Sequence, residues 1–120
     1  MIRTATKALA VVLLLGACAM QSENSLQPGL AALHKGSYVE AEAHFESMLA
    51  NDPQDPYALL NLGVAKARLG KTGEAEQLYR KAILTGGDAP VRSVVRYEGE
   101  QDVESTVAAV AERNLADLGT

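Results

Sequence analysis

Residues 56–87 read PYALLNLGVAKARLGKTGEAEQLYRKAILTGG. Their apolar residues recur at helical spacing in two blocks broken at Gly70: Leu59, Leu62, Ala65 and Leu69 before it, and Ala75, Leu78, Tyr79, Ala82 and Ile83 after it. Asp55-Pro56 opens the first block as an N-cap followed by a proline at the first helical position. Gly86-Gly87 closes the second, because glycine adopts left-handed backbone without a Cβ clash. The stretch therefore predicts two amphipathic helices joined by a tight turn. It also repeats what precedes it at a shift of 34 residues: Gly29 recurs as Gly63, Gly36 as Gly70, Ala41 as Ala75, Phe45 as Tyr79, Met48 as Ala82 and Pro56 as Pro90. Self-similarity at one fixed period of roughly 20–50 residues marks a fold of stacked repeats.

The earlier copy is read the same way. Leu26, Leu30 and Leu33 fall at helical spacing, with Pro28 tolerated in the first turn, and Gly36 ends the helix. Ser37 followed by Glu40 is a capping box that starts a second helix at Tyr38. Its apolar stripe is Ala41, Phe45, Met48 and Leu49, and Asn51-Asp52-Pro53 stops it, since proline disfavours helix in the residue before it.

The two copies resemble tetratricopeptide repeats. The second supplies Leu59, Leu62-Gly63, Ala67, Gly70, Ala75, Tyr79 and Ala82, and departs from the pattern at Gly87, where proline is expected. The first supplies Gly29, Ala32, Gly36, Tyr38, Ala41, Phe45 and Pro53, and departs at Pro28 and Met48, so its first helix is expected to be short or distorted. The resemblance implies an all-α fold: two stacked helix hairpins over 26–87, with a C-terminal capping helix. Small residues (Gly63, Ala67, Ala75) would let helices approach closely, with Phe45 and Tyr79 filling between layers. In that family the first helix of each pair lines a concave groove that takes an extended peptide or a helix. Carried over, the partner-binding groove would comprise Tyr57, Leu60, Asn61, Val64 and Arg68, with Leu26, Leu30, Leu33 and His34 from the first unit. Asn61 matches one position of the family's carboxylate clamp. Leu26 and Leu30 stand where its companion polar residues would be, and Arg92 and Arg96 sit one residue out of register, so no clamp is expected. The bland alternative is that Tyr57 and Leu60 simply pack on a neighbouring helix.

The C-terminal third keeps the register to Pro90 and then loses it. Residues 88–97 (DAPVRSVVRY) read as a degraded third unit or, with Val91, Val94 and Val95 among them, as an extended segment. Asp102 is expected to cap a last helix from Val103 to Leu118, apolar along Val103, Val107, Val110, Ala111, Leu115 and Leu118 and charged at Glu104, Glu112 and Arg113. Two repeats are fewer than the three usually needed for a stable stack, so this helix, or a homodimer, is expected to supply the rest.

Residues 1–17 form a secretory signal: Arg3 and Lys7, then the apolar run Ala8 to Leu15, then Gly16-Ala17. The run is too short to span a membrane, which takes about 20 apolar residues. Leu15-Gly16-Ala17-Cys18 resembles the lipobox of bacterial lipoproteins, in which the cysteine receives a diacylglyceryl thioether and an N-acyl chain (palmitate is the common acid). The resemblance implies lipidation at Cys18, a tether over 18–25 and, with Ala19 rather than Asp next to it, an outer-membrane address with the domain facing the periplasm. Cys18 is the single cysteine, so no disulfide forms within the chain.

Without Arg3 and Lys7 the nine remaining basic residues face fifteen acidic ones, a balance of −6, which disfavours nucleic acid and anionic lipid surfaces. Aromatics are 4% and Trp is absent, which leaves no stacking platform. His34 and His44 could approach across a turn, with Glu40 or Glu42 as a weak third zinc ligand, but exposed helix histidines are the plainer reading. No nucleophile motif or phosphate loop is present, so neither an enzyme nor a cofactor is expected. The expected function is that of a lipid-anchored scaffold or adaptor in envelope assembly, resembling pilus-assembly lipoproteins of the Flp/Tad type and secretin pilotins. A recruiter of peptidoglycan enzymes and a self-assembling structural lipoprotein are the alternatives.

Overall fold

In a computed structural model of the chain, residues 25–91 and 105–119 are described. They form five α-helices: α1 (Leu26–Lys35), α2 (Tyr38–Asn51), α3 (Pro56–Arg68), α4 (Thr72–Gly86) and α5 (Val107–Leu118). Among the described residues the fold is all-α, with neighbouring helices packed as α1·α2, α2·α3, α3·α4 and α4·α5.

The 34-residue period is visible as two copies of one hairpin. In each, a glycine with positive φ (Gly36 at 76°, Gly70 at 77°) ends the first helix. The next residue's N–H then reaches back five residues: Ser37 N to Ala32 O at 2.9 Å, and Lys71 N to Lys66 O at 2.9 Å. This satisfies carbonyls that a helix end leaves unpaired and reverses the chain in two residues. In each hairpin an aromatic ring of the second helix lies on a glycine of the first. A Cβ on Gly29 would sit 2.5 Å from Phe45 Cζ, and one on Gly63 2.5 Å from Tyr79 Cε1. The rings thus fill the space inside their own hairpins rather than between layers, and glycine is required because nothing larger leaves room for a ring.

The helix starts divide into those with a side-chain cap and those without. Asp55 Oδ1 accepts from Tyr57 N (2.9 Å) and Ala58 N (3.2 Å), with Pro56 at the first position. At Ser37 the expected capping box does not form its side-chain hydrogen bond, although the helix does start at Tyr38. The glycine turn just before it already fixes the chain direction there.

Stacking puts Ala58, Leu62 and Ala65 of α3 against Ala41, Phe45 and Met48 of α2 and Leu30, Ala32 and Leu33 of α1, all buried in one cluster. The opposite side of α3 contributes Leu59 and Leu60 to a second cluster with Ala75, Tyr79 and Ala82 of α4 and Val107, Val110 and Ala111 of α5. The spacing Ala58, Leu62, Ala65 recurs in α5 as Val107, Ala111, Asn114, so α5 stacks on the second hairpin much as α3 stacks on the first. Gly86 is the last residue of α4, where a Cβ would come 2.7 Å from Val107 Cγ1, so this contact too needs glycine.

The last helix starts later than its sequence pattern suggests. Val107 is its first residue and Thr106 its N-cap, with Thr106 Oγ1 accepting from Ala109 N at 3.2 Å; Ser105 is not helical. Asp102, Val103 and Glu104 lie outside the described residues. The extended alternative holds for the start of the preceding segment: Val91 N donates to Ser105 O and Val107 N to Ala89 O, both at 2.9 Å, making an antiparallel bridge at Pro90 and Thr106. That pairing takes up the backbone groups of Ala89–Val91 that a third-unit helix would have used.

Candidate functional site

α3 carries the side chains named as groove residues, and the structure separates them. Leu60 is 0% exposed and belongs to the second cluster with residues of α4 and α5. Asn61 is 1% exposed. These two are core residues, and the same correction applies to Leu30 and Leu33 in α1, which are buried in the first cluster. The physical reason is the width of the apolar stripe. α3 has neighbours on several sides, α2, α4 and α5 among them, so every residue from Ala58 to Ala65 except Val64 is buried. Leu26 is half-buried and His34 exposed.

Tyr57, Val64 and Arg68 remain at or near the surface, at intervals that place them on one helix face. Tyr57 is half-buried, and its hydroxyl donates to Pro90 O at 2.6 Å, which fastens the start of the α4–α5 connection to α3. Val64 is half-buried and touches both clusters. Arg68 is exposed, with its guanidinium 6.0 Å from the centroid of the Tyr38 ring, within range of a cation–π contact. The face thus offers an apolar patch bounded by one cation.

Asn61 is a polar group in the core. Its Nδ2 donates to Tyr57 O at 2.8 Å, which fixes the orientation of the amide. Its Oδ1 is buried and accepts no hydrogen bond. At 1% exposure the amide is out of reach of a peptide carboxylate, so it cannot serve as the donating arm of a carboxylate clamp. Arg92 and Arg96 lie outside the described residues, as does Cys18.

The histidines are held apart in role. His44 Nε2 meets Ser25 O at 2.7 Å and its ring stands edge-on to Phe45, with centroids 5.8 Å apart; His34 is exposed. Glu40 is exposed, and Glu42 is engaged by lysines. Among the described residues no three His, Cys, Asp or Glu side chains converge as a metal site would need, and no helix is long and apolar enough to cross a membrane.

Charge between the hairpins is the feature that sequence reasoning missed. Lys66 Nζ on α3 lies 3.4 Å from Glu42 and 3.1 Å from Glu46 on α2, and 2.9 Å from Glu74 on α4. Lys71 in the α3–α4 turn meets both oxygens of Glu42, at 3.1 and 3.0 Å. The hydrogen bond from Lys71, with the positive charge of Lys66, holds the Glu42 carboxyl below its ordinary range against the opposing effect of burial. The carboxylates, Glu74 foremost, hold the Lys66 ammonium above its own. The available signal was Glu42 and Glu46 one turn apart beside the stripe that faces the next unit. Within the second cluster, burial pushes the Tyr79 hydroxyl up to about 12, partly countered by Arg68 and by a hydrogen bond with Asn114 of α5.

A family model described as tetratricopeptide repeat matches residues 32–96, more than half of the chain. The chain belongs to the tetratricopeptide-repeat family. No curated protein and no solved structure matches it. Tetratricopeptide repeats generally mediate protein–protein interaction and typically serve as non-catalytic scaffolds, so a protein partner is the general expectation for this tetratricopeptide-repeat chain.

Proposed function

We propose that this protein is a lipid-anchored scaffold or adaptor that holds a protein partner during assembly of the cell envelope, with pilus or secretion machinery as the narrower candidates. The observation that carries the reading is the Tyr57–Val64–Arg68 face: an apolar patch beside one cation, on the first helix of a repeat in a family that works by binding proteins. The anchor rests on Leu15-Gly16-Ala17-Cys18 at the end of an eight-residue apolar run. Acyl chains on Cys18, each methylene contributing about 0.8 kcal/mol on burial, would keep the domain at the outer membrane's periplasmic face. Ser25, where the described domain begins, follows closely enough for a short tether. A helical or apolar peptide fits the patch, and neither a catalytic nor a cofactor role is proposed.

The test is affinity capture from detergent-solubilised envelopes, comparing wild type with Val64→Glu/Arg68→Glu. Tyr57 is left intact because its hydroxyl holds Pro90. A pilus or secretion component retained by wild type and lost by the folded variant supports the adaptor. A peptidoglycan hydrolase or synthase in its place moves the partner class, and recovery of the chain alone points to self-assembly. Cys18→Ala should shift the protein from membrane to soluble fractions and abolish palmitate labelling; unchanged fractionation would remove the anchor from the reading.

A further inference from the structure

We propose that Lys66 is a pin that fixes the angle between the two hairpins, and that neutralising it lets them pivot. The seam between α2 and α3 is made of Ala41, Phe45 and Met48 against Ala58, Leu62 and Ala65. Dispersion between such side chains is strong in sum but weakly directional, and Met adapts to more than one neighbour, so the seam by itself admits several close packings. The charge cluster is directional. An ammonium has three N–H donors, and here each finds a carboxylate on a different side: Glu42 and Glu46 one turn apart on α2, and Glu74 on α4. Lys66 therefore ties three helices together, and Lys71 repeats the tie through both oxygens of Glu42. The Lys66 side chain is 11% exposed and that of Glu42 15%, so this inner pair is screened less than the outer arms to Glu46 and Glu74, which are 51% and 59% exposed.

The balance of charge makes the pin reversible in sign. Three carboxylates converge on Lys66, and Lys71 is the other cation bound to them. Without the Lys66 charge, Glu42 and Glu46 on α2 would face Glu74 on α4 with one half-exposed lysine among them. Attraction across the seam would become repulsion, while the ring-on-glycine contacts inside each hairpin would be untouched. Loss of the charge thus acts on the angle between hairpins through Glu42 and Glu46, and inside the second hairpin it removes only the exposed arm to Glu74.

The experiment is a set of backbone amide residual dipolar couplings on the full chain, wild type against Lys66→Met, which keeps the length of the stem. In wild type one alignment frame should fit α1–α2 and α3–α5 together. In Lys66→Met each hairpin should fit its own frame, with the couplings of α1–α2 scaled down about twofold by motion. Amides of α2 should exchange about fivefold faster or more, while those of α4 past its first turn stay within error. One frame fitting the variant as well as the wild type would overturn the proposal. So would faster exchange spread evenly over all five helices, which is a plain loss of stability. If Lys66→Met does not fold, Glu42→Gln/Glu46→Gln removes both carboxylates that reach Lys66 across the seam and is held to the same outcomes.

Discussion

Replacing Gly63 by alanine places a methyl carbon where the Tyr79 ring lies, 2.5 Å from Cε1, 2.8 Å from Cδ1 and 3.2 Å from Cζ. Carbon atoms in van der Waals contact stand about 3.5–4.0 Å apart, so the ring must retreat by about 1 Å. Tyr79 is 2% exposed, between Gly63 of α3 and the α5 helix, and its hydroxyl is tied to Asn114. Retreat therefore disturbs the α4–α5 contact as well. Overpacking of this kind costs about 1–3 kcal/mol. Against it stands the helix propensity of alanine, up to about 1 kcal/mol over glycine. The net expectation is a loss of about 1–2 kcal/mol. Gly73 supplies the control: it is helical, with nothing within 4 Å of its would-be Cβ, so Gly73→Ala shows the propensity gain alone. Urea unfolding followed by circular dichroism should give a lower midpoint for Gly63→Ala, a midpoint unchanged or higher for Gly73→Ala, and the same slope in both. Adding Tyr79→Leu to Gly63→Ala should cost less than the two single losses together. A Gly63→Ala protein as stable as Gly73→Ala would refute the idea that this glycine is there for the ring.

Asn114→Ala removes the partner of the buried Tyr79 hydroxyl and should cost about 1–3 kcal/mol, less when combined with Tyr79→Phe; a double-mutant cycle by urea unfolding measures the coupling. Tyr79 also sets an alkaline limit. Its folded value is raised to about 12 from 10.0, so its contribution is intact below pH 10 and is lost as the pH climbs towards 12. Wild type should lose on the order of 1–3 kcal/mol over that window relative to Tyr79→Phe, and equal losses in the two proteins would count against the burial argument. Asp55→Ala deletes the α3 cap and should lower stability by about 0.5–2 kcal/mol, read as a shift in urea midpoint.

Periodicity of 34 was legible because one physical requirement recurs at each step: a glycine under a ring, then a glycine in left-handed backbone. Gly29 with Phe45 and Gly63 with Tyr79, Gly36 and Gly70, are all plain in the residues, and the helix bounds followed from them. What failed to show was depth. Leu60 and Asn61 fall on the same side of an ideal helix as Tyr57 and Val64, and nothing in spacing says how far a neighbouring helix reaches around α3. The start of α5 is hidden in the sequence because Val103 continues the apolar pattern of Val107, and nothing in that spacing marks Thr106 as the cap. The charge cluster was missed because its members are spread over residues 42 to 74, and ion pairs between helices leave no periodic trace.

The end of the array is decided by what α5 lacks. In the second unit the helix that receives the previous hairpin also carries a glycine, one residue past the middle of its buried stripe, which seats the ring of its own partner: Gly63 follows Leu62 in α3. In α5 the matching residue after Ala111 is Glu112, which is exposed. A carboxylate there admits no ring, and the neighbouring Arg113, Ala116 and Asp117 are exposed as well, giving the helix a mostly polar outer face. Its inner face is specific in the opposite sense, since Asn114 stands where α3 has Ala65. Phe45 needs nothing polar from Ala65, whereas Tyr79 has a hydroxyl to satisfy, and Asn114 meets it. The third stacking helix is thus matched on one side to the hairpin beneath it and closed on the other to a further repeat, which lets two units stand without a third.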